Sequence, residues 1–597
     1  MRQTIASRQS KTTQARTILH TSVSILCLTL ALPVAAMAQA ASGDAGTDTM
    51  GSPGPAVMAP TDTVLPRIGA DPGVPDEADH LTSSFGAAYQ APGAEGPKPG
   101  WSITPQIAVS EEYTTNAGAV AGSAGFNSGL SGGGSDWVTL IQPSIAIDDN
   151  SERLTLHVDY RPTEEIFVNN SRFTQFEESG DGSLLFAAIP NWFYIDARGS
   201  LSQQSVFGGL GPNQTVTLSP DNRETVATGA VTPYVAHEFD GAGTLQVGYG
   251  FAYTGVDAPG NLNQIASPDS FLLPSQYGSS YLETNRGFAS FTTGSDFGRF
   301  RDKLSVDADY YTGSGALRDA HRDIFADDAT YAINRFVSVL GQIGYEDSHY
   351  PAVAFGYNGI IGAGGVTLTP NQFSSLTVEY RYIDGFGAPF VQASYQLTPR
   401  LRVFGGYSEG ISTFDQDQQN SLLYGGTDVT GFRASTLLAA PLIDGDNSFG
   451  ANQALSHERR LSANAVWVGD RDTVTLGVQH EDDTEVGNPF LLYGTFFSAT
   501  HTNAGDFTTR GWIESASWQH QILEDLSAYG FVQYGNARPA LLAEELGNSV
   551  SVELQLTKNF AHGFSVYGRY GGTYFVSGNA GPYGNDSTFT IGAIKRF

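Results

Sequence analysis

The chain has 597 residues, with 61 acidic and 31 basic side chains and a formal net charge of −30 at pH 7. A chain this acidic is a poor partner for nucleic acid. It has 70 glycines and 11% aromatic residues but only 15% charged residues, which excludes a disordered chain and favours a large antiparallel β structure rich in turns. The mean hydropathy of −0.17 is compatible with a membrane barrel, because barrel strands alternate lipid-facing and water-facing side chains.

Residues 1–38 have the organisation of a secretory signal peptide. The basic start carries no acidic residue and contains Arg2, Arg8, Lys11 and Arg16. An apolar core over 23–34 leads to the small-x-small cleavage site Ala36-Met37-Ala38, and this core is too short to span about 30 Å of hydrocarbon. The only cysteine, Cys27, lies inside the signal, so the mature chain is predicted to have no disulfide and no thiolate metal site.

Residues 39–99 are rich in Ala, Gly, Pro, Asp and Ser and show no sustained period, so they are predicted to be a disordered periplasmic leader. Within this leader, 62–65 faintly resembles the energy-coupling box of TonB-dependent receptors. That resemblance would also imply a folded plug domain before the barrel, and the leader is too short to hold one.

From Trp101 onward the chain is a succession of segments in which apolar and polar residues alternate. The clearest apolar faces lie at alternate positions of 154–160, 245–253, 304–310, 376–382 and 550–556. Segments of about ten residues suit tilted strands that cross a membrane. Several of these faces end in tyrosine, namely Tyr160, Tyr253, Tyr310 and Tyr382, which is typical of the aromatic girdle at a lipid–water boundary.

The links between these segments alternate in length. Short links occur at 148–151, 190–191, 240–243, 398–400 and 469–471, and longer ones at 114–135, 162–179, 203–225, 254–279, 413–449 and 483–509. Bacterial barrels have short periplasmic turns and long external loops. The sequence therefore predicts an all-β fold over 100–597: a transmembrane antiparallel up-and-down β-barrel with an even number of strands, about 22 within a range of roughly 16–24. The least certain strand pairs lie near 316–367.

The last strand has its apolar face at Phe589, Ile591, Ala593 and Phe597, with Lys595 as the exception. A terminal strand that ends in Phe resembles the C-terminal recognition signal of bacterial outer-membrane barrels. The resemblance implies that the barrel-insertion machinery reads Phe589, Ile591 and Phe597 and that this strand closes the barrel against the first, which begins at Trp101. Lys595 is expected to snorkel into the periplasmic headgroups.

Two stretches resemble the β-barrel porin 2 group of outer-membrane proteins. The first contains VSEEYTTN (109–116), SDWV (135–138), QPSI (142–145) and RLTL (153–156) leading to Tyr160. The second runs from YRY (380–382) through LTPRL (397–401) to Tyr407. Thr115 stands where an Asp is usual in that group. The resemblance implies an outer-membrane protein of a Gram-negative bacterium that is associated with exopolysaccharide secretion.

The polar residues between the apolar ones are predicted to face the barrel lumen. Candidate pore-lining residues are Arg153, His157, Asp159, Arg161, Asp307, Asp309, Glu379, Arg381, Arg402, Glu553 and Arg569. Rings of charge can set the selectivity of a pore, and a barrel of this size encloses water or a plug. The alternative is that these groups pair across neighbouring strands and only make the wall hydrophilic.

No segment indicates a cofactor or a metal site. Acidic groups in the predicted external loops could bind Ca²⁺ but lack ligand spacing; they are Glu177, Glu178, Asp181, Asp415, Asp417, Asp482 and Asp483. The run His480-Glu481-Asp482-Asp483 is predicted to lie where a strand enters a long loop, without a second histidine at metal-ligand spacing. Nucleophile-elbow, phosphate-loop and zinc-protease motifs are absent from the sequence, so we expect no enzyme.

The sequence is therefore interpreted as a passive pore or accessory conduit in the bacterial outer membrane, linked to the export of exopolysaccharide or to surface polysaccharide. Its expected partners are outer-membrane lipid and lipopolysaccharide, the barrel-insertion machinery and polysaccharide export components, with no nucleic acid among them. The alternative is a non-conducting structural or surface-interaction barrel whose lumen is closed by inward-folded loops such as 413–449.

Overall fold

A computed structural model describes residues 100–117, 134–205, 223–257, 279–371, 373–424, 454–487, 508–538, 548–575 and 585–597. The predicted signal peptide and leader lie outside these residues. The strands are β1 (Trp101–Thr114), β2 (Asp136–Asn150), β3 (Leu154–Tyr160), β4 (Thr163–Phe167), β5 (Gln175–Glu177), β6 (Gly180–Ile189), β7 (Phe193–Ser205), β8 (Arg223–Glu238), β9 (Gly243–Asp257), β10 (Ser280–Thr293), β11 (Phe300–Gly313), β12 (His321–Asn334), β13 (Val337–Tyr350), β14 (Phe355–Asn371), β15 (Ser374–Ile383), β16 (Phe386–Thr398), β17 (Leu401–Ser412), β18 (Ser456–Val468), β19 (Asp472–Glu485), β20 (Thr508–Leu523), β21 (Leu526–Arg538), β22 (Asn548–Phe560), β23 (Phe564–Phe575) and β24 (Asp586–Arg596). One α-helix, α1 (Phe414–Tyr424), follows β17, and single 3₁₀ turns occupy several of the short links.

The strands form one closed antiparallel sheet. Strands pair with their neighbours in the chain, except that β2 pairs with both β3 and β4, β3 pairs with β6 and β4 pairs with β5. The ring closes where β24 pairs with β1 from Gln106↔Arg596 to Thr114↔Thr588. β3 and β4 together form one interrupted strand of the wall, and β5 and β6 together form another. The barrel therefore has 22 strands. The predicted fold, strand number and closure of the last strand against the first are therefore confirmed.

The two ends of the barrel differ in their links. β1 begins and β24 ends at the end where the short turns lie, including 151–153, 190–192, 335–336, 399–400 and 524–525. That end is periplasmic by the general rule for bacterial barrels. The opposite, extracellular end carries the longest links, such as the one between β17 and β18. In the uncertain region near 316–367, β12, β13 and β14 are three full strands.

The prediction that 162–179 form an external loop is wrong in part. The chain continues as β4 and returns as β5, which pair from Thr163↔Glu177 to Glu165↔Gln175. Pro162 interrupts the wall strand because proline has no N–H to donate to a sheet. Arg161 N bonds Ser179 O at 2.8 Å across the break, so the two strands stay together beyond it.

The outer surface of the barrel is apolar. Large side chains such as Ile343, Ile360, Leu554 and Ile591 are 55–71% exposed, far more apolar surface than a soluble monomer shows. Exposed aromatics mark both boundaries: Tyr310 and Tyr382 towards the extracellular end, and Trp192, Phe297, Phe373 and Phe560 at the periplasmic turns. A closed barrel with an apolar belt between two aromatic girdles is a protein of the bacterial outer membrane.

Tyr160 and Tyr253, two of the four predicted girdle residues, are only half-exposed. Tyr160 instead donates a hydrogen bond to Glu178 at 2.6 Å. Among the described residues, no helix is long and apolar enough to cross a membrane.

The closing seam between β1 and β24 is held at both ends. At the extracellular end Asp586 accepts hydrogen bonds from Thr114 Oγ1, Thr115 Oγ1 and Asn116 N at 2.9–3.0 Å. At the periplasmic end Phe597 N donates to Pro105 O at 3.0 Å. Phe589, Ile591 and Phe597 all point outward, with exposures of 53%, 71% and 74%. Lys595 donates to His562 O in the adjacent turn, so it caps that turn at the periplasmic boundary.

Candidate functional site

The structure places ten of the eleven predicted pore-lining residues on the lumen side of the wall; the prediction is wrong for Arg153. Asp307, for example, lies between the exposed outer residues Val306 and Ala308, and Glu379 lies between Val378 and Tyr380. The same alternation holds for His157, Asp159, Asp309, Arg381, Arg402, Glu553 and Arg569. Arg161, just beyond β3, pairs with Asp159 and Asp181 of this inner face. Arg153 is exposed in the periplasmic turn before β3.

On the inner face of β2, β3 and β6, the lumen charges pair across strands. His157 Nδ1 lies 2.7 Å from Asp148 Oδ1, and Arg161 lies 3.4 Å from Asp159 and 3.6 Å from Asp181. Asp181 was expected in an external loop, as were Glu177, Asp415, Asp417, Asp482 and Asp483. That expectation is wrong because each of these carboxylates lies on a strand or on α1 inside the barrel wall or lumen.

Three further pairs continue around the wall. Arg286 Nε donates to Asp307 at 2.6 Å, Arg381 Nε donates to Glu379 at 2.7 Å, and Arg569 Nη2 donates to Glu112 at 3.1 Å. The Arg381 guanidinium also stacks 3.8 Å above the ring of Phe390. Arg402 donates to Ser394 at 3.2 Å. Most predicted lumen charges are therefore neutralised by a neighbour, so they form a hydrophilic wall rather than a ring of one sign.

The helix α1 crosses the lumen. It leaves the extracellular end of β17 and packs against β7, β8, β9 and β10 on the far side of the ring. Thr413 Oγ1 accepts a hydrogen bond from Gln416 N at 3.2 Å, which caps the helix start. The acidic residues Asp415 and Asp417 lie in the first turn, where the helix dipole favours negative charge.

On the side of β7 to β10, the helix is held by single polar contacts from the wall. Ser280 donates to Asp415 at 3.3 Å, and Thr284 donates to Gln419 at 2.5 Å. Gln419 donates in turn to Leu282 O at 2.9 Å. Two further contacts are Gln416 Nε2 to Tyr311 OH at 3.1 Å and Arg198 Nη1 to Leu422 O at 2.8 Å. Burial raises the pKa of Asp415 to about 7, although the hydrogen bond from Ser280 opposes this shift.

On the side of β18 and β19, the first turn of the helix is held by an ion cluster. Arg460 of β18 lies 2.7 Å from Asp417, 2.9 Å from Glu458 and 3.4 Å from Glu481. Its side chain is only 10% exposed. One guanidinium therefore binds the wall strands β18 and β19 to the helix through three carboxylates.

An apolar cluster lies at the extracellular end, beside α1. It joins wall residues to the links between strands: Leu282, Tyr311, Ala316, Leu317, Ala320, Tyr350, Val353, Ile411 and Leu455. Ile411 belongs to β17, yet it joins a cluster that includes Leu282 of β10, Tyr311 of β11 and Tyr350 of β13. The pairing of β16 with β17 ends at Val391↔Tyr407 although both strands continue. Pro389, just beyond the last pair, has no N–H to extend the pairing.

The run His480–Asp483 is not a reactive cluster. All four residues lie within β19, not at its exit into a loop as expected. Successive strand residues point to opposite faces, so Glu481 faces Arg460 in the lumen while His480 stacks on the outward ring of Trp512 at 4.2 Å. Within the described part of the chain, no group of three or more His, Cys, Asp or Glu side chains is placed to hold a metal ion.

Sequence reasoning missed Arg286, the wall partner of Asp307, and the residues that position α1, chiefly Arg460, Ser280, Thr284 and Gln419. The two arginines lie at the alternate strand positions that face the lumen, so the same alternation could have identified them as lumen residues. The hydroxyl and amide contacts carry no such signal, because they depend on which loop folds inward.

No protein-family profile and no curated protein matches the chain. Solved structures do match it. A mutant of the ferric enterobactin receptor PfeA from Pseudomonas aeruginosa has a TM-score of 0.44 and 10% identity, over 84% of this chain and 81% of that chain. The siderophore receptor PiuA from Acinetobacter baumannii has a TM-score of 0.45 and 8% identity, over 84% and 82%. OccK5 (OpdH) from Pseudomonas aeruginosa has a TM-score of 0.28 and 10% identity, over 83% of this chain and 98% of that chain.

Proposed function

We propose that this outer-membrane barrel is a passive conduit whose lumen is gated by α1. The observation that carries the proposal is the helix itself, which bridges a polar lumen and is held mainly by separate polar contacts. The solute class we propose is polysaccharide, on the ground of the two stretches that resemble β-barrel porin 2. Paired wall charges suit a hydroxyl-rich solute, because hydroxyl groups exchange hydrogen bonds with both carboxylates and guanidinium groups.

The way in which α1 is attached supports a movable element. Phe414 is its apolar anchor, packed on Val226 and Val256. The remaining described contacts are hydrogen bonds and ion pairs to Ser280, Thr284 and others, each with a net contribution of about 0.5–1.5 kcal/mol for neutral groups. Water in an opened lumen would satisfy the same groups, so release of the helix costs less than release of an apolar core.

A second function is favoured by the apolar cluster at the extracellular end. Leu455, Tyr350 and Val353 are each 1% exposed, which is typical of a permanent core rather than a gate. If this cluster stays closed, the protein is a non-conducting structural or surface-interaction barrel.

Single-channel recording in a planar bilayer separates these functions. We expect rare, small steps from the native protein and frequent, larger steps when 414–424 is replaced by a Gly/Ser linker of equal length. The matched control is Arg400→Ala, which breaks an exposed ion pair with Asp470 at the periplasmic end and should leave the recording unchanged.

The outcomes discriminate clearly. Silence from both the native protein and the linker variant would favour the closed barrel, and equal conductance in both would refute gating by α1. Added polysaccharide fragments should block current through the linker variant; free passage of current at saturating fragment would reject polysaccharide as the solute.

A further inference from the structure

Two arginines on the outer face of the barrel are exposed at its extracellular boundary. The side chains of Arg459 on β18 and Arg510 on β20 are 43% and 60% exposed, and both residues lie close to the extracellular ends of their strands. Arg459 and its chain neighbour Arg460 point to opposite faces of the wall, and Arg460 in the lumen is only 10% exposed. The two outward guanidinium groups are therefore accessible to a molecule outside the barrel.

The two arginines belong to one row of directly opposed residues across β17 to β20. Arg459 lies opposite Glu409 on one side and opposite Asp482 on the other, and Arg510 also lies opposite Asp482. Arg459 Nε lies 3.6 Å from Glu409, and Arg510 Nη2 lies 2.6 Å from Asp482. The carboxylates are the buried members of this row, at 9% and 8% exposure. Because a guanidinium group has five N–H donors, each arginine keeps donors for an external acceptor.

The apolar belt of the barrel begins directly below this row. Leu461 and Trp512 are the next outward residues on β18 and β20, and both are exposed. The ring of Trp512 is held in place by His480, which stacks on it at 4.2 Å. A tryptophan at such a position marks the lipid–water boundary, so the row lies at the level of the outer-leaflet headgroups. Glu514 is exposed on the same face but lies beyond Trp512, nearer the centre of the membrane.

Two other parts of the same boundary carry outward carboxylates. Glu111 on β1 is exposed, and it accepts a hydrogen bond from Thr139 at 2.8 Å. Asp323 on β12 is exposed and lies directly opposite Asp347 on β13. Carboxylates repel an anionic headgroup, so the exposed guanidinium groups give β17 to β20 a different preference for lipid from these parts of the wall.

We propose that Arg459 and Arg510 bind a phosphate group of an outer-leaflet lipid, the phosphorylated lipid A of lipopolysaccharide. A planar guanidinium group matches phosphate oxygens through two parallel hydrogen bonds. Adjacent strands are about 4.8 Å apart, so two arginines separated by one strand reach the same headgroup. The acyl chains of this lipid lie against Leu461 and Trp512. The site is on the outside of the wall and does not depend on the proposed conduit.

Binding is tested by titrating labelled diphosphoryl lipid A into the refolded protein in detergent micelles, with a chelator present to remove bridging cations. The double variant Arg459→Gln/Arg510→Gln should bind about tenfold more weakly or worse. Arg400→Gln, an exposed arginine at the periplasmic end, is the matched control and should bind as the native protein does. The double lysine variant at 459 and 510 should keep part of the affinity, because it keeps the charge without the planar fork. Heat-modifiable gel migration checks folding.

A second measurement needs no variant. The native protein should bind dephosphorylated lipid A as weakly as the double glutamine variant binds the diphosphoryl form. Equal affinity of the native protein for both lipids would overturn the proposal, and so would equal binding of diphosphoryl lipid A by the native protein and the double glutamine variant. Inorganic phosphate equimolar with lipid A should not compete; displacement of the lipid would reveal a site for the free ion only and reject lipid A as the ligand.

Discussion

Replacing Arg460 by methionine is expected to lower the free energy of unfolding by about 3–5 kcal/mol, because breaking a buried ion pair leaves uncompensated charge. Arg460 is the shared partner of Asp417, Glu458 and Glu481 at 2.7–3.4 Å. Methionine keeps much of the side-chain volume but none of the five N–H donors. Equilibrium unfolding in urea, followed by tryptophan fluorescence in lipid vesicles, measures the change.

The control for this prediction is Arg400→Met at the other end of the barrel. Arg400 also forms an ion pair, with Asp470, but the two side chains are 55% and 83% exposed. An exposed pair contributes about 0–1 kcal/mol, so the control should unfold almost as the native protein does. Similar losses in both variants would contradict the role of Arg460 as the buried hub, and Arg460→Lys should recover only part of the loss because one ammonium cannot replace the planar fork.

Replacing Phe597 by alanine is expected to reduce assembly in the outer membrane severely while changing the stability of the folded barrel by less than about 1 kcal/mol, as for other exposed positions. The side chain is 74% exposed, and its described side-chain contact is the Lys595 ammonium, 5.8 Å from the ring centre. Its backbone bond to Pro105 does not need the ring. Quantitative blotting of outer-membrane fractions gives the assembly yield, and urea unfolding of refolded protein gives the stability.

The opposite behaviour is expected from Asp586→Ala at the other end of the same seam. That substitution removes the acceptor for Thr114, Thr115 and Asn116, and hydrogen bonds to a charged group contribute about 1.5–3 kcal/mol each. It should destabilise the folded barrel by about 2–3 kcal/mol after partial compensation by water, yet leave the terminal recognition residues intact. Normal assembly of Phe597→Ala would refute the terminal signal.

Most of the wall could be predicted because its determinants are local. The alternation of 304–310 and 376–382 sets the two faces of a strand directly, and link length separates the periplasmic end from the extracellular end. The faces assigned to Asp307, Glu379 and Arg381 followed from the same alternation. Where a proline interrupts the ladder, as at Pro162, the sequence did not predict that the strand resumes beyond it.

The partners of these residues could not be predicted from the local sequence pattern. Arg161 could be placed in the lumen, but its pairing with Asp181 required the return of the chain as β6 in a specific register. Asp415 and Asp417 belong to a long link whose composition is typical of a solvated loop. Inward folding of 413–449 is predicted from the sequence only within the alternative function. The folded chain shows that 413–424 turn inward and that these carboxylates meet groups on opposite sides of the ring.

The sequence by itself determined a closed outer-membrane barrel of about 22 strands, within a range of roughly 16–24, and the strand that closes it. The physical reason is that strands in lipid must pair every backbone polar group within the wall, and only a closed barrel does so. The tertiary structure alone decided that the lumen is bridged. That bridge depends on contacts such as Ser280 with Asp415, 135 residues apart. The free energy of these contacts comes from charge and hydrogen-bond complementarity across the lumen. Such complementarity produces no periodic pattern in the sequence.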